Sequence, residues 1–102
     1  MLGKYNSQIK DEQIDRLFEG ILKLRTIEEC YRFFEDICTV KEIKSMAQRL
    51  EIAGLLADNK TYSEIEKETG VSTATISRIN RALNYGADGY RIILERLNRT
   101  QK

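Results

Sequence analysis

The residues best suited to chemistry lie in one stretch, TYSEIEKETGVSTATISRIN, spanning 61–80. Its second half sets short side chains ahead of Arg78, Asn80 and Arg81. On a helix, Thr73, Ala74, Ser77, Arg78 and Arg81 share one outward face, with Thr75 and Asn80 flanking it. That face suits the major groove of DNA. Short side chains near a helix start allow close approach to base edges, Arg can grip guanine O6/N7 or a phosphate, and Asn can pair with adenine. The helix N-terminus and the hydroxyls of Ser72 and Thr73 suit a phosphate. With Lys67 from the preceding helix, the candidate DNA-binding set is Lys67, Ser72, Thr73, Ala74, Thr75, Ser77, Arg78, Asn80 and Arg81. The competing reading is a solvated helix whose Ser and Thr are merely polar.

Two helices must hold this face in place. Their steep crossing needs a few apolar residues at the contact and a small residue at the turn. Ile65 faces in from the first helix, Gly70 takes the turn, Val71 plugs the corner, and Ile76 and Ile79 form the inner stripe of the second helix. Two positions depart from the usual helix-turn-helix pattern: Glu66 stands where a small residue is common, and Thr69 where an aliphatic one is.

The rest of the chain reads as helix. Ile14, Leu17, Phe18, Ile21, Leu22 and Leu24 follow helical spacing and predict a helix over about 8–25. Thr26-Ile-Glu-Glu29, Thr39-Val-Lys-Glu42 and Thr61-Tyr-Ser-Glu64 are capping boxes, in which the Thr hydroxyl and the Glu carboxylate cap each other's backbone. They open a second helix to about Ile37, a third through Ile43, Met46, Ala47, Leu50, Ala53, Leu56 and Ala57, and a fourth to about Thr69. Gly54 inside the third costs about 1 kcal/mol against Ala, and a close helix crossing is the expected reason. Ser72 caps a fifth helix to about Asn84. Tyr85–Asp88 is a loop, and a sixth helix carries Ile92, Ile93, Leu94 and Leu97 before fraying over 98–102.

Composition narrows the classes. The chain has 102 residues, no proline and few glycines, enough for one helical domain with a modest core. The first two helices are more apolar than one chain of this size readily covers. A homodimer sharing a core is expected, with a compact monomer as the alternative. Net charge is +1, yet from Thr73 onward there are 6 basic residues (Arg78, Arg81, Arg91, Arg96, Arg99, Lys102) against 2 acidic ones. That bias favours a polyanion. The absence of His, of a Gly-rich phosphate loop and of a nucleophile elbow argues against an enzyme. Cys30 and Cys38 read as small core residues on one helix face; two thiolates alone do not close a zinc site, so no metal is expected. No signal-peptide h-region and no membrane span is visible, and a cytoplasmic location is expected.

The run from Cys38 to about Leu83, including AQRLEIAGLLADNKTYSEIEKETGVSTATISRINRAL, resembles the Trp repressor family. The pieces "ATISR" and "QRL" followed by "LL" are the most specific, and the resemblance points to the repressor-like proteins of the YerC/YecD type rather than to the tryptophan sensor. The resemblance implies one all-α domain over 1–102, with six helices, a helix-turn-helix at about 61–84 and an intertwined homodimer. Its two reading heads would enter successive major grooves of double-stranded DNA. It also implies a corepressor pocket in which two arginines sandwich an indole. Arg49 and Arg78 match that pair, and Thr39 and Thr75 match two pocket threonines. However, Ile79 replaces a glycine that makes room for the ligand, and Ala82 replaces a serine near its amino group. Overfilling such a space costs roughly 1–3 kcal/mol, so the L-tryptophan site is expected to be closed, no cofactor is expected, and another small effector is left open.

The sequence thus reads as a sequence-specific DNA-binding transcription regulator, a homodimeric repressor. The alternative is a helix-turn-helix adaptor that binds protein rather than DNA, a reading favoured by the acidic Glu64, Glu66 and Glu68 beside the motif.

Overall fold

Six α-helices are present among the described residues: α1 Glu12–Ile21, α2 Ile27–Ile37, α3 Val40–Ala57, α4 Tyr62–Thr69, α5 Thr73–Tyr85 and α6 Gly89–Gln101. The computed structural model describes the backbone of residues 5–101 and the side chains of 5–98. The side chain of Arg99 and all of Lys102, counted above in the basic end, lie outside that range; the backbone of 98–101, expected to fray, instead continues α6. The chain divides into two units, residues 1–39 and 40–102.

In the N-terminal unit, α1 is shorter than the apolar spacing predicts. Asp11 is the reason at its start: its carboxylate accepts the N–H groups of Gln13 and Ile14, which fixes Asp11 as an extended N-cap. At the other end, Lys23 and Leu24 donate to the Gly20 and Ile21 carbonyls, tightening the chain out of the α-helix. Thr26 caps α2 by accepting from Glu29 N at 3.0 Å. The Glu29 carboxylate does not return to the cap residue; it accepts from Arg25 N at 2.8 Å, one residue earlier. Phe33 and Phe34 meet edge to face with centroids 5.3 Å apart. Neither α1 nor α2 contains a buried residue, although both are strongly amphipathic. The cysteines differ from expectation. Cys30 is exposed, and Cys38 is the extended C-cap of α2 rather than part of its helical face.

The C-terminal unit holds the core. Ile52 and Ala53 from α3, Ile65 from α4, Val71 from the turn, and Ile76 and Ile79 from α5 form one buried cluster. Leu55, Leu56, Tyr62, Tyr90 and Leu94 pack against it. Helix α5 is the hub, in contact with α3, α4 and α6. Of the α3 positions expected to face inward, Ala53 is buried and Ala47 and Ala57 are exposed, while Ile52, outside that set, is fully buried. Helix α3 ends in a Schellman arrangement. Asn59 adopts φ 66, and Lys60 and Asn59 donate to the Leu55 and Leu56 carbonyls.

Two glycines show different constraints. A Cβ on Gly54 would meet Leu94 Cδ2 at 3.6 Å, ordinary contact, so α6 does pass over this point but leaves room for a methyl group. A Cβ on Gly86 would lie 2.4 Å from the Ala82 carbonyl oxygen, a position only glycine can hold. Gly54→Ala is therefore expected to raise stability by up to about 1 kcal/mol. Gly86→Ala is expected to lower it by about 1–3 kcal/mol. Urea unfolding midpoints check both, and equal effects would contradict the assignment.

Candidate nucleic-acid interface

Helix α4 starts on a complete capping box. Thr61 Oγ1 accepts from Glu64 N at 3.1 Å, and Glu64 Oε1 accepts from Thr61 N at 2.8 Å. It ends on Gly70, whose φ of 75 is the left-handed conformation that glycine adopts without strain. The two departures from the usual motif have local explanations. Thr69 Oγ1 donates to the Ile65 carbonyl at 2.7 Å and accepts from Val71 N at 3.2 Å, so its hydroxyl ties the end of α4 to the corner of the turn. Glu66 is exposed, and its backbone carbonyl accepts from Gly70 N at 2.8 Å.

Ser72 caps α5, accepting from Thr75 N at 3.3 Å, while its hydroxyl donates to Thr75 Oγ1 at 3.2 Å. The helix then divides cleanly by face. Ile76, Ile79 and Leu83 are buried. Ser72, Thr73, Ala74, Ser77, Arg78 and Arg81 are exposed, as is Lys67 on α4. Thr75 and Asn80 are half-buried at the margins. Among the described residues, Arg78 and Arg81 have no ion pair, and α5 contains no acidic side chain. The exposed face thus presents two uncommitted cations behind a start of small side chains. Asn80 is more committed: its Oδ1 accepts from Asn84 Nδ2 at 3.0 Å.

The residues aligned with a corepressor pocket are placed differently from one another. Thr39 belongs to the N-terminal unit and is exposed. Arg49 lines an apolar groove of about 520 Å³ with Met46, Leu50, Ala82, Tyr90 and Ile93. Thr75 and Arg78 do not line it. Ile79 is 5% exposed and sits in the helix-turn-helix core. Among the described residues, no cluster of three or more His, Cys, Asp or Glu could hold a metal ion. Nor is any helix long and apolar enough to cross a membrane.

Sequence reasoning gave Asn84 no role and counted Arg91 only within the basic end, yet the two hydrogen-bond at 2.9 Å across the α5–α6 junction. A signal was present: Asn80 and Asn84 are one helical turn apart, and Arg91 stands in the first turn of a helix, where a cation is disfavoured.

An all-helical chain whose α4 and α5 meet through a glycine turn, with α5 buried on one side and bare on the other, has the build of a helix-turn-helix regulator. Residues 12–98 match the Trp repressor protein family. The chain belongs to that family, a family of DNA-binding helix-turn-helix regulators. It is 53% identical over 94 residues to the uncharacterized protein YerC of Bacillus subtilis, covering 92% of this chain and 90% of that one. It is 38% identical over 78 residues to a Trp operon repressor homolog of Chlamydia caviae, covering 76% and 77%. The crystal structure of a TrpR-like protein from Eubacterium eligens superposes with a TM-score of 0.84 at 50% identity, covering 91% of this chain and 96% of that one.

The start of the motif has a pH signature. The Glu64 carboxyl is held below its ordinary value of 4.5, first by the Thr61 N–H it accepts, then by the Thr61 side chain and the Lys60 charge. A depressed carboxyl contributes stability above its unfolded value and loses it as pH falls through the folded value. The stability difference between wild type and Glu64→Gln is therefore expected to be full at neutral pH and to shrink as pH falls below 4.5. Unfolding midpoints across that range check this, and a difference that stays constant would contradict the capping role.

Proposed function

We propose that this protein is a sequence-specific transcription repressor that binds double-stranded DNA as a homodimer in the cytoplasm, each copy placing α5 in a major groove. The observation that carries the reading is the division of α5 into a buried stripe and an exposed face of Thr73, Ala74, Ser77, Arg78 and Arg81, with no acid on the helix. Lys67, Ser72 and Thr75 are assigned to the phosphate flanks of that face. The adaptor alternative loses part of its support because Glu64 is committed to the cap of α4.

Dimerisation is inferred from surface that has no other use. Leu22 and Ile27 are 82% and 77% exposed in the single chain, and Phe18, Tyr31, Ile37 and Val40 are also exposed. Apolar surface gains about 25 cal/mol per Å² when removed from water. A second copy that covers α1 and α2 would remove that surface from water, and the proposal keeps 1–102 as a single domain. This is the reading the family resemblance also favours.

L-tryptophan is not assigned as a corepressor. The support is Ile79, which fills the motif core at the position where the tryptophan-binding pattern needs a glycine. Arg49 and Arg78 are free of ion pairs among the described residues, and Arg78 is given to DNA.

Two measurements test these readings. Titration of a bound duplex at several salt concentrations is expected to give an affinity that falls steeply with salt, because each neutralised phosphate releases counterions. Arg78→Ala and Arg81→Ala are each expected to weaken binding by about 1–3 kcal/mol where a base contact is lost. Added L-tryptophan is expected to change nothing. Folded variants that bind as well as wild type would contradict the reading face. Separately, sedimentation equilibrium is expected to report twice the 11.9 kDa chain mass, and Leu22→Asp or Ile27→Asp to dissociate or unfold it. Substitution at a truly solvated position costs no more than about 0.5 kcal/mol, so an unaffected monomer would overturn the dimer.

A further inference from the structure

Helix α5 ends without a cation: its last turn contains no basic residue. The carbonyls there form the negative end of the helix dipole, where a positive charge is stabilising. Arg91 stands in the first turn of α6, where its own helix disfavours a cation. The guanidinium reaches back across the junction. Its Nη2 donates to Asn84 Oδ1 at 2.9 Å. Asn84 Nδ2 then donates to the Asn80 carbonyl oxygen and to Asn80 Oδ1, both at 3.0 Å. Each half of the Asn84 amide is used, the oxygen toward Arg91 and the nitrogen toward Asn80. The chain segment between the helices is equally constrained. Gly86 has no room for a Cβ, and Asp88 adopts φ 67 before its carbonyl accepts from Ile92 N at 3.0 Å.

From this chain of bonds we propose that Arg91, Asn84 and Asn80 form a positioning clamp, which fixes the reading face of α5 relative to α6. Asn80 serves the clamp and not a base. Adenine recognition uses the oxygen and the nitrogen of one amide together, and the Asn80 oxygen already accepts from Asn84. The residue is also half-buried, at the margin of the exposed face. The inference rests on the DNA reading proposed above, and it adds three residues that act through α5 rather than by touching DNA. Two rival roles are chemically reasonable: Arg91 as a phosphate contact, and Asn80 as a base reader.

The test compares wild type with Asn84→Ala, Arg91→Ala, their double variant and Asn80→Ala, all in the full chain. The probes are a duplex enriched by wild type from a random pool and a scrambled duplex of equal length. Each single variant is expected to lose about three- to tenfold in affinity for the enriched duplex, the worth of one hydrogen bond. The double variant is expected to lose no more than the worse single, because the residues act as one unit. Affinity for the scrambled duplex and the salt slope are expected to stay unchanged. Additive losses would overturn the clamp. So would an Arg91→Ala variant that weakens both duplexes alike and reduces the salt slope by about one phosphate. Relaxed preference at a single base in Asn80→Ala would show Asn80 reading that base.

Amide hydrogen exchange without DNA separates this inference from the DNA reading. Protection over residues 83–86 is expected to drop in Asn84→Ala and in Arg91→Ala, and no further in the double variant. If wild type enriches no duplex, the DNA reading fails and exchange alone decides. Lost protection then leaves the clamp standing as the joint between α5 and α6, and unchanged protection overturns it.

Discussion

The burial of Ile76 and Ile79 against Ile52, Ile65 and Val71 is the constraint on which the C-terminal unit depends. A helix repeats every 3.6 residues, so turning these two isoleucines inward turns Thr73, Ser77, Arg78 and Arg81 outward. The same packing locks the rotation of α5, and a helix that cannot rotate about its axis presents one fixed set of side chains. Gly70 makes the arrangement possible by turning the chain at positive φ, and the Thr69 hydroxyl bonds the two ends of that turn. The cost of opening this core is large relative to the few kcal/mol that hold a small domain folded. Shape and reading face therefore stand or fall together.

The N-terminal unit follows another logic. Its helices are well started, by Asp11 and by Thr26, and their apolar positions are regularly spaced, yet no residue of α1 or α2 is buried. Local signals alone thus account for where these helices begin and end. They do not account for why a chain would keep so much apolar surface in water. The surface ion pairs Lys10–Asp15 and Arg32–Glu28 are exposed and contribute little. In the reading proposed above, a second copy of the chain covers this apolar surface.

Much of the fold was legible because each helix carries its own start signal. Ser72, Thr61 and Thr26 each cap the helix expected of them. The four inward residues of the motif, Ile65, Val71, Ile76 and Ile79, are all buried, because steric demand at a steep crossing leaves few residue types to choose from. What escaped was information that spacing does not carry. Ile52 lies off the stripe chosen for α3, since that helix has apolar residues on more than one side. Asp11 shortens α1 by competing for backbone N–H groups that the periodic pattern ignores. Asn84 and Arg91 are polar residues on different helices, and only the path of the Gly86–Asp88 junction brings them together. Of the residues aligned with a corepressor pocket, Arg49 lines the apolar groove while Thr75 and Arg78 do not, which a motif match cannot foresee.

The most direct test of the central claim is selection of duplexes from a random pool at about 150 mM salt, where weak surface electrostatics are screened, with Arg78→Ala run in parallel. The account predicts a palindromic motif that is enriched by wild type and lost with the variant. Enrichment that survives Arg78→Ala unchanged, or a pool that never enriches, would contradict α5 as the reader of sequence.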